Sequence, residues 1–230
     1  MANWWEYVIA LSPSVVILGL YLLSYVLGKK KNKNFALEML SKIALPLNDF
    51  CESFEKVTQE KERYQLVCRP TKDAPMRQMV VLAIPLGRPF FIAYIWDKIK
   101  KNRDKYTLSA NLRKRPPFSL EIVSKKRKKV LKGDKDYFME LRELKTEGWI
   151  NEYFIIKTND VRNSMKLLAN EDLLKLLAKT RNEALWLSLR QDIKDVGMQF
   201  ESIFEYQEEQ IENTVDLFLK IIESIPYPRK

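Results

Sequence analysis

The sequence predicts an α+β protein: one N-terminal transmembrane helix followed by a cytosolic domain with a mainly antiparallel sheet and packed helices. Three observations carry that prediction. Residues 7–28 hold no charged side chain. Beyond them, short stretches that alternate apolar and polar residues mix with stretches whose apolar residues recur every three or four positions. The two kinds do not follow one another in strict βαβ order, which argues for an antiparallel sheet.

The uncharged run YVIALSPSVVILGLYLLSYVLG has 22 residues. As a helix it rises about 33 Å, enough for a hydrocarbon core of roughly 30 Å. Trp4, Trp5 and Tyr7 at one end and Tyr25 at the other suit the two interfaces. Pro13 falls in the first turns, where a missing N–H matters least. A cleaved signal peptide would need a basic leader and a shorter run. Here Glu6 precedes the run and GKKKNK ends it, so it reads as a permanent anchor. Lys29, Lys30, Lys31 and Lys33 put the following chain in the cytosol by the positive-inside rule, leaving residues 1–6 as a short extracytosolic N-terminus. The same four lysines are the expected contacts for lipid headgroup phosphates.

Residues 29–57 read as a basic juxtamembrane segment and an amphipathic helix, with Phe35, Met39, Ile43, Leu47, Phe50 and Phe54 on one stripe and Pro46 breaking or bending it. Continuation of the anchor into this helix would explain why the chain folds as soon as it leaves the membrane. Residues 58–230 form the cytosolic α+β domain. RYQLVCR, QMVVLAI (78–84) and KYTLSANL read as strands, with FFIAYIWDKIKK as a helix between the last two. RPPFSLEIVSKKRKKVLKGDKDYFMEL reads as strand, basic excursion (113–132) and strand; NEYFIIKT (151–158) is a further strand. Asn159 or Asp160 caps a helix over 161–168, and Asn170 caps the next, NEDLLKLLAKT. ALWLSLR and VGMQFESIFEY alternate as strands, and QEEQIENTVDLFLKIIESI closes as an amphipathic helix.

Chemistry is constrained by what is missing. The 230 residues include no histidine, which removes imidazole bases and imidazole zinc sites. The six glycines form neither phosphate-cradling loop spacing. The sequence therefore argues against an enzyme and suggests no cofactor and no metal. Cys51 and Cys68 make no disulfide framework and read as reduced core thiols.

Charge is concentrated. Residues 98–132 hold fourteen Lys or Arg against Asp104 and Glu121 alone, an excess of twelve where the whole chain has a net charge of +10. Arg113, Lys114, Arg115, Lys125, Lys126, Arg127, Lys128, Lys129 and Lys132 are the candidate polyanion-binding residues. A juxtamembrane cytosolic domain meets two polyanions, anionic lipid and RNA. Only Tyr106 and Phe118 interleave the run, so an RNA partner would be held by its phosphates rather than its bases.

The exit pattern Tyr21-x3-Tyr25-x2-Gly28-Lys29-x-Lys31-Asn32 resembles that of the calumin family, the coiled-coil-domain-containing protein 47 of the endoplasmic reticulum. The order of segments is similar too: amphipathic helix, YQLVC and MVVLAI strands, helix, alternating strand, EYFIIKT before a helix, and a last helix ending IIESIP. The similarity covers about residues 10–112 and 150–226. It implies a truncated form of a non-enzymatic factor in the endoplasmic reticulum membrane (the plasma membrane in a prokaryote). Such a factor binds the ribosome and Sec translocon, joins a small partner membrane protein in an intramembrane chaperone, and assists insertion and folding of nascent multipass clients. The family's acidic luminal region has no counterpart in these residues, so calcium binding is not carried over. The basic segment 113–132 is extra and is expected to substitute for the family's basic C-terminal coiled coil as the ribosomal RNA contact. The alternative expectation is a membrane-tethered basic domain that binds anionic lipids or an acidic protein.

Overall fold

The computed structural model describes residues 4–60, 63–100, 103–132, 135–146, 148–201 and 208–227. Lys101, one of the fourteen cations of residues 98–132, and the end of the strand read through Tyr206 lie outside these residues. So do the side chains of Trp4, Trp5, Tyr7, Lys129 and Lys132.

One helix, α1 (Trp4–Leu47), runs through both the uncharged segment and the amphipathic one. Among the described residues it is long and apolar enough to cross a membrane. Its exposed apolar length ends where a buried stripe begins: Gly28, Asn32, Ala36, Met39, Leu40, Ile43 and Leu47 recur at helical spacing. Pro46 sits in the last turn, and Asn48 and Asp49 turn the chain directly after it.

The helix expected to continue through Phe54 is instead strand β1 (Cys51–Glu60). Phe50 and Phe54 are four apart, a spacing that satisfies a strand's period of two as well as a helix's. Pairing with β2 (Arg63–Pro70) decides between them. Next come β3 (Met76–Ile84), α2 (Phe91–Ile99), β4 (Lys105–Leu112) and β5 (Leu120–Ser124). The basic excursion read over 113–132 is not one segment: β5 occupies Leu120–Ser124 within it, and only Lys125–Lys132 leaves the sheet, as a 3-10 segment. The strand expected after it is a helix, α3 (Lys135–Glu140), followed by the two-residue β6 (Arg142–Glu143). A single turn, α4 (Ile150–Tyr153), shortens the next strand to β7 (Phe154–Thr158). Asp160 caps α5 (Val161–Leu168), and Asn170 caps α6 (Glu171–Lys179), each accepting from backbone N–H groups of the first turn. A β8 (Ala184–Arg190) and β9 (Asp195–Glu201) hairpin and α7 (Glu208–Glu223) complete the fold.

Among the described residues nine strands form one sheet in the order β1-β2-β3-β4-β9-β8-β5-β7-β6, antiparallel at every pairing. Alternation picks its faces. Met79, Val81 and Ala83 of β3 and Tyr106, Leu108, Ala110 and Leu112 of β4 point to one side. There they share a core with the buried stripe of α1 and with Ile211, Val215, Phe218 and Ile222 of α7. Each fully buried Leu, Ile or Phe contributes about 1.5–3 kcal/mol by leaving water. Tyr106 reaches across this layer and donates to Thr214 Oγ1 at 2.9 Å.

Cys51 and Cys68 are not free thiols. They are joined as a disulfide between β1 and β2. Neighbouring antiparallel strands bring their Cα atoms to 5.8 Å, within the reach of such a bond.

Candidate membrane and polyanion interface

The first part of the site lies where α1 meets the domain. Gly28 permits it: a Cβ there would stand 2.5 Å from the Arg88 carbonyl oxygen and 2.6 Å from Pro89 N. One turn on, Asn32 donates from Nδ2 to the Leu86 carbonyl at 2.9 Å, and its Oδ1 accepts from Arg88 Nη1. Arg88 in turn grips Asp104, which also accepts from Leu86 N. Arg88 Cζ sits 5.7 Å from the Phe35 ring centroid, and the rings of Tyr25 and Phe90 meet edge to face. The loop 85–90 is thus clamped to the helix on its inner side. Lys29, Lys30, Lys31 and Lys33 occupy the outer sides of the same turns and are exposed, with Lys29 Nζ 4.5 Å from the Tyr25 ring centroid. The spacing explains how packing can begin inside a lysine run: Gly28 and Asn32 face the loop while Lys29, Lys30 and Lys31 between them face outward.

Strand β3 leads toward this clamp and β4 leads away from it, since Ile84 pairs with Lys105 and Met76 with Leu112. Arg113, Lys114 and Arg115 therefore stand at the end of the sheet remote from Gly28. All three are exposed. Arg113 is partly used in structure, donating from Nε to Ala74 O at 2.8 Å, and Lys114 lies against Tyr227. Lys125, Lys126 and Lys128 are also exposed and Arg127 half so, but they follow the opposite end of β5. That strand's five residues span about 16 Å. The cations contiguous in the sequence form two clusters, not one patch.

The excursion also has a structural task. It and α3 cover the second face of β5, β7 and β8, where Val123, Phe138, Leu141 and Leu185 are buried. Glu121 lies beneath, 0 % exposed. Its carboxylate accepts from Ser188 Oγ at 2.6 Å, Trp186 Nε1 at 2.5 Å and Tyr137 Oη at 3.0 Å. Burial pushes its pKa up from 4.5 to about 7, against the opposing pull of these donors and the nearby Arg190. Asp104 is 1 % exposed. Both acids that oppose the fourteen cations in sequence are thus buried, and neither stands at the surface to neutralise them.

Sequence reasoning missed Gly28, Asn32, Arg88 and Asp104 as a unit, and Glu121 as a buried acid. The signal available for the clamp was the Gly28–Asn32 spacing, one turn apart within a lysine run. For Glu121 it was its place inside LEIVS, whose five residues are all buried. In comparison with known proteins, no family model and no curated protein matches the chain.

Proposed function

We propose that this chain is a non-enzymatic, membrane-anchored factor of membrane-protein biogenesis. In this reading α1 crosses the endoplasmic reticulum membrane, or the plasma membrane in a prokaryote, and the sheet domain lies in the cytosol. Its cation clusters rest on ribosomal RNA beside the Sec translocon, and a small partner membrane protein and nascent clients gather at the anchor. The observation that supports it best is α1 itself: one uninterrupted helix whose apolar length passes without a linker into the domain core. From Gly28 to Leu47 it travels about 28 Å along the sheet. A domain held so firmly stays at a set height and orientation above the bilayer, which a scaffold needs and a freely tethered domain lacks. The calumin-like exit pattern adds support, because Tyr25, Gly28, Lys29 and Asn32 are residues of the clamp and its edge.

Co-sedimentation with ribosomes across a salt series tests the RNA contact. The full chain should pellet with a steep salt dependence, since each phosphate contact releases counterions. Glu at Lys125, Lys126, Arg127, Lys128 and Lys129, or at Lys114 and Arg115, should weaken pelleting and flatten that slope. Unchanged pelleting in both variants would remove the ribosome from the account.

The exposed ring of Lys29, Lys30, Lys31 and Lys33 favours a second reading, a tethered basic domain that binds anionic lipid or an acidic protein. The Cys51–Cys68 bond bears on topology, since disulfides persist mainly in oxidising compartments. The lysine flank biases orientation during insertion, before the domain has folded, and supports the cytosolic side.

A further inference from the structure

Outside α1, nine large apolar side chains are exposed among the described residues, and five of them fall in residues 90–99: Phe90, Ile92, Ile95, Trp96 and Ile99. Four lie on α2 at positions i, i+3, i+4 and i+7, one face of the helix. Ile92 is 79 % exposed, Ile99 67 % and Trp96 56 %. A flank of the helix is tied to the loop: Asp97, half-buried, accepts from Gly87 N at 3.2 Å, and the Ala93 methyl lies beside Gly87. That tie holds α2 beside loop 85–90 while its apolar face stays uncovered.

Its location identifies what covers it. The clamp puts loop 85–90 against Gly28 and Tyr25, the last residues of the uncharged span. The charge pattern agrees: Lys98 and Lys100 extend from the same helix end, with Nζ atoms 5.6 Å and 4.6 Å from the Tyr94 and Trp96 ring centroids. Ammonium groups beside Tyr and Trp rings suit the headgroup layer, where aromatic rings and phosphates meet.

We infer that α2 is an interfacial helix: Ile92, Ile95, Trp96 and Ile99 enter the headgroup–acyl boundary of the bilayer that α1 crosses, while Lys98 and Lys100 meet lipid phosphates. This rests on the reading of α1 as an anchor. The helix is only about 13 Å long, too weak to bind a membrane alone. Beside a permanent anchor it need not. It supplies a second point of contact, which limits the tilt of α1 and the domain as one body.

The test uses the full chain in nanodiscs of phosphatidylcholine and phosphatidylserine, with an environment-sensitive nitrobenzoxadiazole amino acid at Ile92, Leu22 or Asn111 in separate preparations. Lipids carrying a spin label at a shallow acyl carbon act as the quencher. The expected result is blue-shifted emission and loss of most of the signal at Ile92 and at Leu22, with solvent-like, unquenched emission at Asn111, which is exposed at the remote end of β4. Quenching at Leu22 with solvent-like emission at Ile92 would overturn the inference, leaving this face to a protein neighbour while the anchor stands. Unquenched label at both sites would overturn the anchor reading as well. Omitting phosphatidylserine should reduce quenching at Ile92 and leave Leu22 unchanged; equal quenching at Ile92 in both lipids would refute the contact of Lys98 and Lys100 with anionic headgroups.

Discussion

Arg88 and Asp104 face each other through two buried hydrogen bonds, Nη1 to Oδ1 at 2.8 Å and Nη2 to Oδ2 at 2.5 Å. Asn32 of α1 shares the same Nη1. One ion pair thus ties the long helix, the 85–90 loop and the start of β4 into a single joint. Removing one partner leaves the other charged and buried, which costs far more than the pair itself contributes.

Asp104→Ala should therefore destabilise the domain by about 3–5 kcal/mol. The double variant R88M/D104L, which removes both charges, should lose clearly less than D104A alone. Thermal unfolding of the detergent-solubilised chain, followed by near-ultraviolet circular dichroism, measures both. Equal losses in D104A and the double variant would show that the pair's charge is not what matters.

Gly28→Ala forces a methyl group into the Arg88 and Pro89 backbone. Overpacking of this kind costs about 1–3 kcal/mol, offset by up to about 1 kcal/mol of better helix propensity. Gly19, with nothing within 4 Å of a new Cβ, is the control and should leave the domain's unfolding temperature unchanged. Proteolysis in the 85–100 segment should rise for G28A alone.

Glu121 makes stability depend on pH. Its folded pKa of about 7 lies above the usual 4.5, so the folded chain holds a proton that the unfolded chain has released across that window. The resulting stabilisation is fully present below pH 4.5 and is lost as pH rises toward 7, with a span on the order of 3 kcal/mol. E121Q keeps the site uncharged and should flatten the profile between those limits. Urea unfolding at a series of pH values reads it directly, and an unchanged slope in E121Q would assign the pH dependence to another group.

The Cys51–Cys68 bond closes a loop of sequence separation 17. Reduction, or Cys68→Ser, should cost about 3 kcal/mol by releasing the unfolded chain from that constraint. A mass shift on thiol alkylation of the intact protein, before and after reductant, reports whether the bond is present.

Much of this architecture was legible because local pattern and tertiary role coincide. KYTLSANL alternates and lies half against the core; Asp160 and Asn170 are good caps and cap their helices. The failures have a common cause. Phe50 and Phe54 satisfy two periods at once, and only pairing with β2 chooses between them. Residues 135–140 carry apolar side chains that suit either element; they form a helix because they lie across the sheet, over Glu121, rather than within it. Of the candidate site, the exposure of the lysines at 29–33 followed from the sequence. The separation of Arg113–Arg115 from Lys125–Lys128 did not, because it depends on the direction in which β5 runs.

The account stands on the side of the membrane that the domain occupies. Protease treatment of sealed microsomes from cells making the full chain, with the intact lumenal content as a control, decides it most directly. The account predicts digestion of the domain without detergent, leaving a protected fragment no larger than the short N-terminus and the membrane-spanning part of α1. A domain that survives until detergent opens the vesicles would contradict it, placing the basic surface and the Cys51–Cys68 disulfide together on the lumenal side, out of a ribosome's reach.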